Sequence, residues 1–172
     1  DSLFGYKSPE EDPVKILSWS AADINKDYIE FFSILDDGRV AVMTRDWGSN
    51  GPSKSELAIL TEADASELPE RTTLTFATVS LDYDTRGQII EFNRASDKYR
   101  IEIKDYSEYA TGGDYQAALT KLNTEINSGV VPDILDVSGL PLRQMSAKGV
   151  LEDLWPFIDS DPDISRDQLM ER

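Results

Sequence analysis

Residues 72–159 alternate short apolar runs with amphipathic stretches, and this alternation limits the possible folds more than any other feature of the sequence. Residues 74–80 and 99–104 have the β-branched and aromatic composition of strands, and residues 134–137 form a shorter apolar run. Candidate helices lie between them, at about 85–95 and 114–128. Strands that alternate with helices pair in parallel through right-handed crossovers. The sequence therefore predicts an α/β fold with a parallel sheet over residues 71–172.

The second of these helices has the clearest pattern in the chain. Its apolar residues recur on one helical face, at Tyr115, Ala118, Leu119, Leu122 and Ile126. Asp114 is placed to cap the first turn, and Gly129 follows the last turn, where a left-handed residue commonly ends a helix. A further helix is predicted to begin at Pro141 and to end at Gly149. The apolar residues after it, Leu151, Leu154, Trp155 and Phe157, are expected to be core.

Residues 1–70 have the pattern of an antiparallel β meander. Residues 28–34 and 39–44 flank Asp36, Asp37 and Gly38, which is a strong hairpin signal, and residues 14–17 and 57–61 are further candidate strands. The segments DGRV and ELAILT resemble one blade of a β-propeller. A single blade leaves its faces uncovered, because radial repetition normally protects them. We therefore expect the chain to be an excerpt of a longer protein, with residues 62–71 joining its two parts.

Several segments of the second part occur in a familiar order and spacing. They are FATVS at 76–80, IIEFN at 89–93, YRIEIK at 99–104, the helix 115–127, SGVVPDI at 128–134 and KGVLEDL at 148–154. In this order they resemble the first lobe of the family 1 extracellular solute-binding proteins. The resemblance implies a periplasmic-binding-protein-like fold, and we expect this chain to contain only part of its first lobe. It also implies capture of a solute, most often a carbohydrate, for an ABC importer whose permease is the partner. Members are non-catalytic and are commonly exported as membrane-anchored lipoproteins.

The composition excludes several classes of chemistry. The chain has 33 acidic and 17 basic residues, a net charge of −16, no histidine and no cysteine. The charge disfavours nucleic-acid binding, and the missing side chains exclude Ser-His and Cys-His catalysis and thiolate or imidazole metal sites. Asp23, Asn25 and Asp27 match the opening of a calcium-binding EF-hand loop. However, Tyr28 and Ile34 occupy its glycine and glutamate positions, so we expect neither metal nor cofactor.

The predicted site lies at the carboxyl edge of the parallel sheet, where the strand order reverses. With right-handed crossovers, the strands at 99–104 and 134–137 flank the strand at 74–80. The residues that follow the three strand ends are Ser80, Asp82, Tyr83, Tyr106, Ser107, Ser138 and Gly139. Carboxylates and hydroxyls suit the hydroxyl groups of a sugar, and tyrosine rings suit its apolar face. Asp82 could equally be a helix cap without further function.

Two other functions and one structural expectation stay open at this point. Asp82, Asp84 and Asp136 could supply the paired carboxylates of a carbohydrate-active hydrolase. The segment PDILD before LP resembles the phospho-acceptor strand of response-regulator receivers, although no acidic pair ends the first strand. Because the lobe ends before a further strand could cover residues 134–137, we also expect fortuitous self-association through exposed strand edges.

Overall fold

The computed structural model describes residues 1–6, 8, 10–47 and 52–169. Two compact units divide the chain, Asp1–Asp136 and Val137–Arg172. The first contains two antiparallel sheets and a parallel three-stranded sheet with helices, so the predicted mixed α/β class is confirmed. The predicted joint at residues 62–71 lies inside this first unit. No helix in the described ranges is long and apolar enough to cross a membrane.

The amino-terminal part is antiparallel, as predicted, but it forms two separate sheets and not one meander; we keep the name β meander for residues 1–70. Strands β1 (Ser2–Gly5) and β2 (Val14–Ser18) pair with each other. Strands β3 (Ile29–Ile34), β4 (Val40–Asp46) and β5 (Lys54–Leu60) form a second sheet in that order. Gly38 turns the β3–β4 hairpin with φ of 85°, a conformation that glycine adopts without strain. Strand β1 was not predicted, because only its pairing with β2 distinguishes its few residues from a loop.

The parallel sheet has the predicted strand order. Its strands are β6 (Thr72–Thr78), β7 (Tyr99–Asp105) and β8 (Ile134–Leu135), arranged β7-β6-β8. Both β7 and β8 pair in parallel with the central β6. Strand β8 is half as long as the predicted run and, among the described residues, lies at the edge of this sheet, as expected.

Two helices pack against this sheet. They are α1 (Tyr83–Ala95) and α2 (Tyr115–Asn127). In α2, the Asp114 side chain accepts from the Gln116 amide, and Gly129 follows with φ of 93°, as predicted. The predicted face is buried at Ala118, Leu119, Leu122 and Ile126, whereas Tyr115 stays partly exposed. On α1, the Asn93 side chain satisfies both backbone groups of Ile101 and so ties the helix to β7.

Three arginines of α1 and β7 hold the β meander against the α/β sheet; we call this contact the arginine interface. Arg100 pairs with Asp23, and Arg94 donates to the Asp23 carbonyl and to Glu56. Arg86 is buried, with its Nη1 atom 3.5 Å from Asp1 Oδ1 and its Nε atom 3.2 Å from Asp27 Oδ2. The β meander and the α/β sheet are therefore joined by charged contacts that sequence periodicity does not indicate.

The second unit contains the short helices α3 (Leu142–Ala147) and α4 (Trp155–Ser160). Pro141 precedes α3 and Gly149 follows it with φ of 68°, as predicted. The prediction that Trp155 belongs to a core is wrong, because the residue is 43% exposed and Leu154 and Phe157 are more exposed still. The Arg166 guanidinium lies 4.4 Å from the centre of the Trp155 ring. A six-residue helix offers too little surface to enclose three large apolar side chains.

Candidate functional site

The carboxyl ends of β6 and β8 are tied together by Thr78 and Asp136. The Thr78 hydroxyl donates to Asp136 Oδ2 at 2.8 Å, and the Asp136 amide donates to the Ala77 carbonyl at 2.9 Å. The Ser80 amide donates to Thr78 Oγ1 at 3.1 Å. Thr78 is buried, whereas Ser80 is exposed. The edge at which the strand order reverses is therefore a hydrogen-bonded corner with the exposed residue Ser80 beside it.

Asp82 is the N-cap of α1, and both of its carboxylate oxygens contact Thr85. The Thr85 amide donates to Oδ1 at 2.9 Å and the Thr85 hydroxyl donates to Oδ2 at 2.6 Å. These two hydrogen bonds lower the pKa of Asp82. The carboxylate is exposed and each oxygen keeps an unused lone pair. Asp82 is thus a fixed, ionised hydrogen-bond acceptor beside Ser80.

Tyr83 opens α1 and contacts the β meander through Tyr28. The two ring centroids are 5.0 Å apart, with the planes inclined by 73°, which is an edge contact. Burial raises the pKa of Tyr28, and a hydrogen bond with the Tyr83 side chain raises it further. Tyr83 remains 40% exposed. Its ring therefore lies at the surface, one residue after Asp82, with one edge contact to Tyr28.

Tyr106 has a different environment from the one the sequence suggested. It begins the 3-10 turn Tyr106–Tyr109 and is only 2% exposed. Its hydroxyl donates to Glu125 Oε2 at 2.5 Å, and Lys104 and Lys121 lie 2.6 and 3.0 Å from the same carboxylate. Hydrogen bonds from Lys104, then Tyr106 and Lys121, lower the pKa of Glu125 to about 2. In this conformation the Tyr106 ring anchors α2 and offers no face to a solute.

The remaining predicted residues are divided between the two units. Ser107 is exposed beside Tyr106, and its amide donates to Asp105 Oδ1 at 2.9 Å. Ser138 and Gly139 lie in the second unit, in a turn where the Leu140 amide donates to the Val137 carbonyl at 3.1 Å. The structure therefore gathers Ser80, Asp82 and Tyr83 at one end of α1.

Two residues of this corner were not among the predicted site residues. Thr78 looks like an ordinary strand residue, and its partner Asp136 is 58 positions away along the chain. A signal for Asp136 was available, because it is the first polar residue after β8 and strand ends commonly carry site residues.

The triplet Asp23, Asn25 and Asp27 has hydrogen-bond and ion-pair partners within the protein. Asp23 is paired with Arg100 and Asp27 with Arg86. Oδ1 of Asn25 accepts from the Asp27 amide at 3.1 Å. Within residues 1–6, 8, 10–47 and 52–169, no group of three or more histidine, cysteine or acidic side chains is arranged to hold a metal ion.

No protein-family model, curated protein or solved structure matches this chain.

Proposed function

We propose that this chain belongs to an extracellular receptor that captures a small hydroxylated solute, namely a carbohydrate, for an ABC importer. The observation that carries the proposal is the β7-β6-β8 parallel sheet, whose carboxyl edge presents Ser80 and Asp82 beside the Thr78–Asp136 hydrogen bond. Under this proposal the α/β sheet is the first lobe of a periplasmic-binding-protein-like fold. The importer permease is its partner, and the intact protein is exported as a membrane-anchored lipoprotein.

The chemistry of this corner suits an uncharged ligand rich in hydroxyl groups. Ser80 can donate and accept, and Asp82 accepts only, so together they match sugar hydroxyls, which do both. Because Thr85 already fixes the Asp82 carboxylate, binding loses little side-chain entropy there. Exposed Tyr83 can contact the apolar face of a sugar ring.

The same geometry gives less support to the two alternatives. A hydrolase needs one carboxyl group that holds a proton near neutral pH, which requires a raised pKa, and the lowered pKa of Asp82 does not suit it for that role. A receiver-like phosphoacceptor would use Asp136, whose Oδ2 accepts from the buried hydroxyl of Thr78. Strand β6 ends at Thr78 and is followed by Val79 and Ser80, without the acidic pair that such a site uses. Non-catalytic binding is therefore the function that we propose.

The test is a calorimetric titration of the intact receptor protein with a panel of mono- and oligosaccharides. Asp82→Asn keeps a capping side chain but removes the charge, and it should weaken binding roughly tenfold. Asp84→Asn, an equally exposed acid in the first turn of α1, is the matched control and should leave the affinity unchanged. Cells that lack the gene should also lose uptake of the bound sugar. A protein that binds no saccharide, or uptake that persists, would contradict the proposal.

A further inference from the structure

The outer edge of β7 is the side of that strand that faces away from β6. Parallel pairing with β6 uses alternate residues of β7, so the backbone groups of the residues between them face outward. Both backbone groups of Ile101 are bonded to α1, which makes Tyr99, Ile101 and Ile103 the outward-facing residues. Among the described residues, no further strand pairs along this edge. An edge of this kind is normally a template for another strand.

Asn93 occupies the middle of this edge. Its Nδ2 group donates to the Ile101 carbonyl at 2.9 Å, and its Oδ1 atom accepts from the Ile101 amide at 2.7 Å. Because the carbonyl requires a donor and the amide requires an acceptor, the two contacts fix the orientation of the side-chain amide. Asn93 therefore offers Ile101 the donor and the acceptor that a neighbouring strand would offer.

Ser96 and Arg71 extend and hold this arrangement. The Tyr99 amide donates to Ser96 Oγ at 3.0 Å, so a second outward group of the edge is satisfied by a side chain. Nη1 of Arg71 donates to the carbonyls of Asn93 and Ser96, at 2.7 and 3.2 Å. Both carbonyls lie at the carboxyl end of α1, where a cation is favourable. Arg71 thus fixes the backbone of the two residues whose side chains satisfy the edge.

Helix packing alone does not favour asparagine at position 93. The residue is 3% exposed and belongs to the buried face of α1, together with Ile89 and Ile90. An apolar side chain would be buried there at lower cost, and asparagine is a poor helix former. The presence of asparagine is explained if its amide is needed for the two backbone groups of Ile101, which another strand could otherwise bind.

We propose that Asn93 and Ser96 close the β7 edge against pairing with a strand of a second copy of this chain. Arg71 is a positioning residue, because it acts through the backbone of these two residues. The proposal does not depend on the receptor function proposed above. It makes the two edges of the parallel sheet different, since the β7 edge is closed by side chains and the β8 edge is the one at which the sheet can associate.

The test is a sedimentation series of variants made on the Ile134→Lys background, in which the β8 edge already carries a charge. Asn93→Ala removes both hydrogen bonds and leaves the β7 edge uncharged, so the concentration at which association begins should fall roughly tenfold. Asn93→Asp also loses the donor to the Ile101 carbonyl, but it places a carboxylate at the edge, and charged side chains oppose strand pairing. It should therefore stay monomeric at concentrations where Asn93→Ala associates.

Hydrogen exchange of the backbone amides shows which edge is used. In dilute Asn93→Ala the Ile101 amide should exchange faster than in the parent, because its acceptor is gone. At concentrations where this variant associates, the amides of Ile101 and Ile103 should both become protected, since both face the incoming strand. Protection that never appears at these two amides would overturn the proposal.

The positioning role of Arg71 has its own measurement. Arg71→Ala keeps both edge-closing side chains but frees the last turn of α1, so exchange should become faster at Tyr99 and Ile101. Exchange at Leu122, on the buried face of α2, should stay unchanged, which separates this effect from a general loss of stability. Arg71→Lys keeps a cation near the two carbonyls and should restore most of the protection. Unchanged exchange at Tyr99 and Ile101 in Arg71→Ala would refute the assignment of Arg71.

A matched control and two outcomes decide the proposal for Asn93. Asn123→Ala removes an amide that donates to the Leu119 carbonyl within its own helix, at 2.9 Å, and it should associate like the parent. The proposal is overturned if Asn93→Ala associates no more readily than the parent. It is equally overturned if Asn93→Asp associates as readily as Asn93→Ala, because association would then follow from lost stability and not from an open edge.

Discussion

Arg100 and Asp23 form a bidentate ion pair, although they lie 77 positions apart in the sequence. Nη1 of Arg100 lies 3.1 Å from Asp23 Oδ2, and Nη2 lies 2.9 Å from Oδ1. The same Nη2 atom also donates to the carbonyls of Ser20 and Ala21, at 3.2 and 2.7 Å. Asp23 has φ of 55°, a left-handed conformation that aspartate tolerates better than most residues. One guanidinium of β7 thus holds a whole turn of the β meander.

The first prediction concerns this pair. Arg100→Ala should lower the free energy of unfolding by about 1–3 kcal/mol, because a partly buried carboxylate and two carbonyls lose their donor. Urea denaturation measures the change. Arg39→Ala removes an exposed arginine paired with Asp37 inside one hairpin, and it should alter stability little. Equal losses in the two variants would show that the arginine interface does not hold the two parts together.

The second prediction concerns the buried face of α2. Leu122 is completely buried, so Leu122→Ala should destabilise the protein by about 2–5 kcal/mol through lost burial and a residual cavity. Leu57→Ala is the matched control, since Leu57 is 65% exposed, and its effect should stay within about 0.5 kcal/mol. A melting temperature of Leu122→Ala indistinguishable from wild type would mean that α2 is not docked in solution as described.

The third prediction concerns acid stability. The pKa of Glu125 falls from 4.5 to about 2 through its bonds with Lys104, Tyr106 and Lys121. A lowered folded-state pKa stabilises the fold above the unfolded value, and this contribution disappears as the pH falls from about 4.5 towards 2. Glu125→Gln should therefore melt below wild type at neutral pH, and the difference should shrink across that acidic window. The exposed Glu108→Gln should show no such convergence, and a pH-independent gap for Glu125→Gln would refute the assignment.

The fourth prediction concerns the free strand edges. Strand β8 pairs only with β6 among the described residues, and β3 and β5 end the antiparallel sheet. Unpaired edges recruit further strands, so the chain should self-associate in a sedimentation series at rising concentration. Ile134→Lys places a charge on the β8 edge and should reduce association. A chain that stays monomeric throughout the series would exclude edge pairing.

The fifth prediction is that this chain alone binds sugars weakly. A small-molecule site normally encloses most of its ligand, and the Ser80–Asp82 corner supplies only one exposed surface. Calorimetry should give dissociation constants well above about 1 μM for mono- and oligosaccharides. Sub-micromolar binding would contradict this prediction, because it would show that the chain already contains a complete cleft.

The sequence alone predicts the elements whose signals are local. The apolar period of α2, the cap at Asp114 and the turn at Gly38 depend on residues a few positions apart, so these features could be predicted without the fold. The grouping of Ser80, Asp82 and Tyr83 was predictable for the same reason, since a strand end and the helix that follows it are adjacent in the chain.

Only the tertiary structure determines the contacts between distant segments. The Arg100–Asp23 pair, the Thr78–Asp136 bond and the burial of Tyr106 against Glu125 each join side chains with no common local pattern. An exposed charge and a paired one look alike in sequence, as do a buried tyrosine and a surface one. Whether such a side chain is buried or exposed depends on which faces of the helices and strands meet when they pack. That packing also determines its hydrogen-bond partners, which short-range periodicity does not specify.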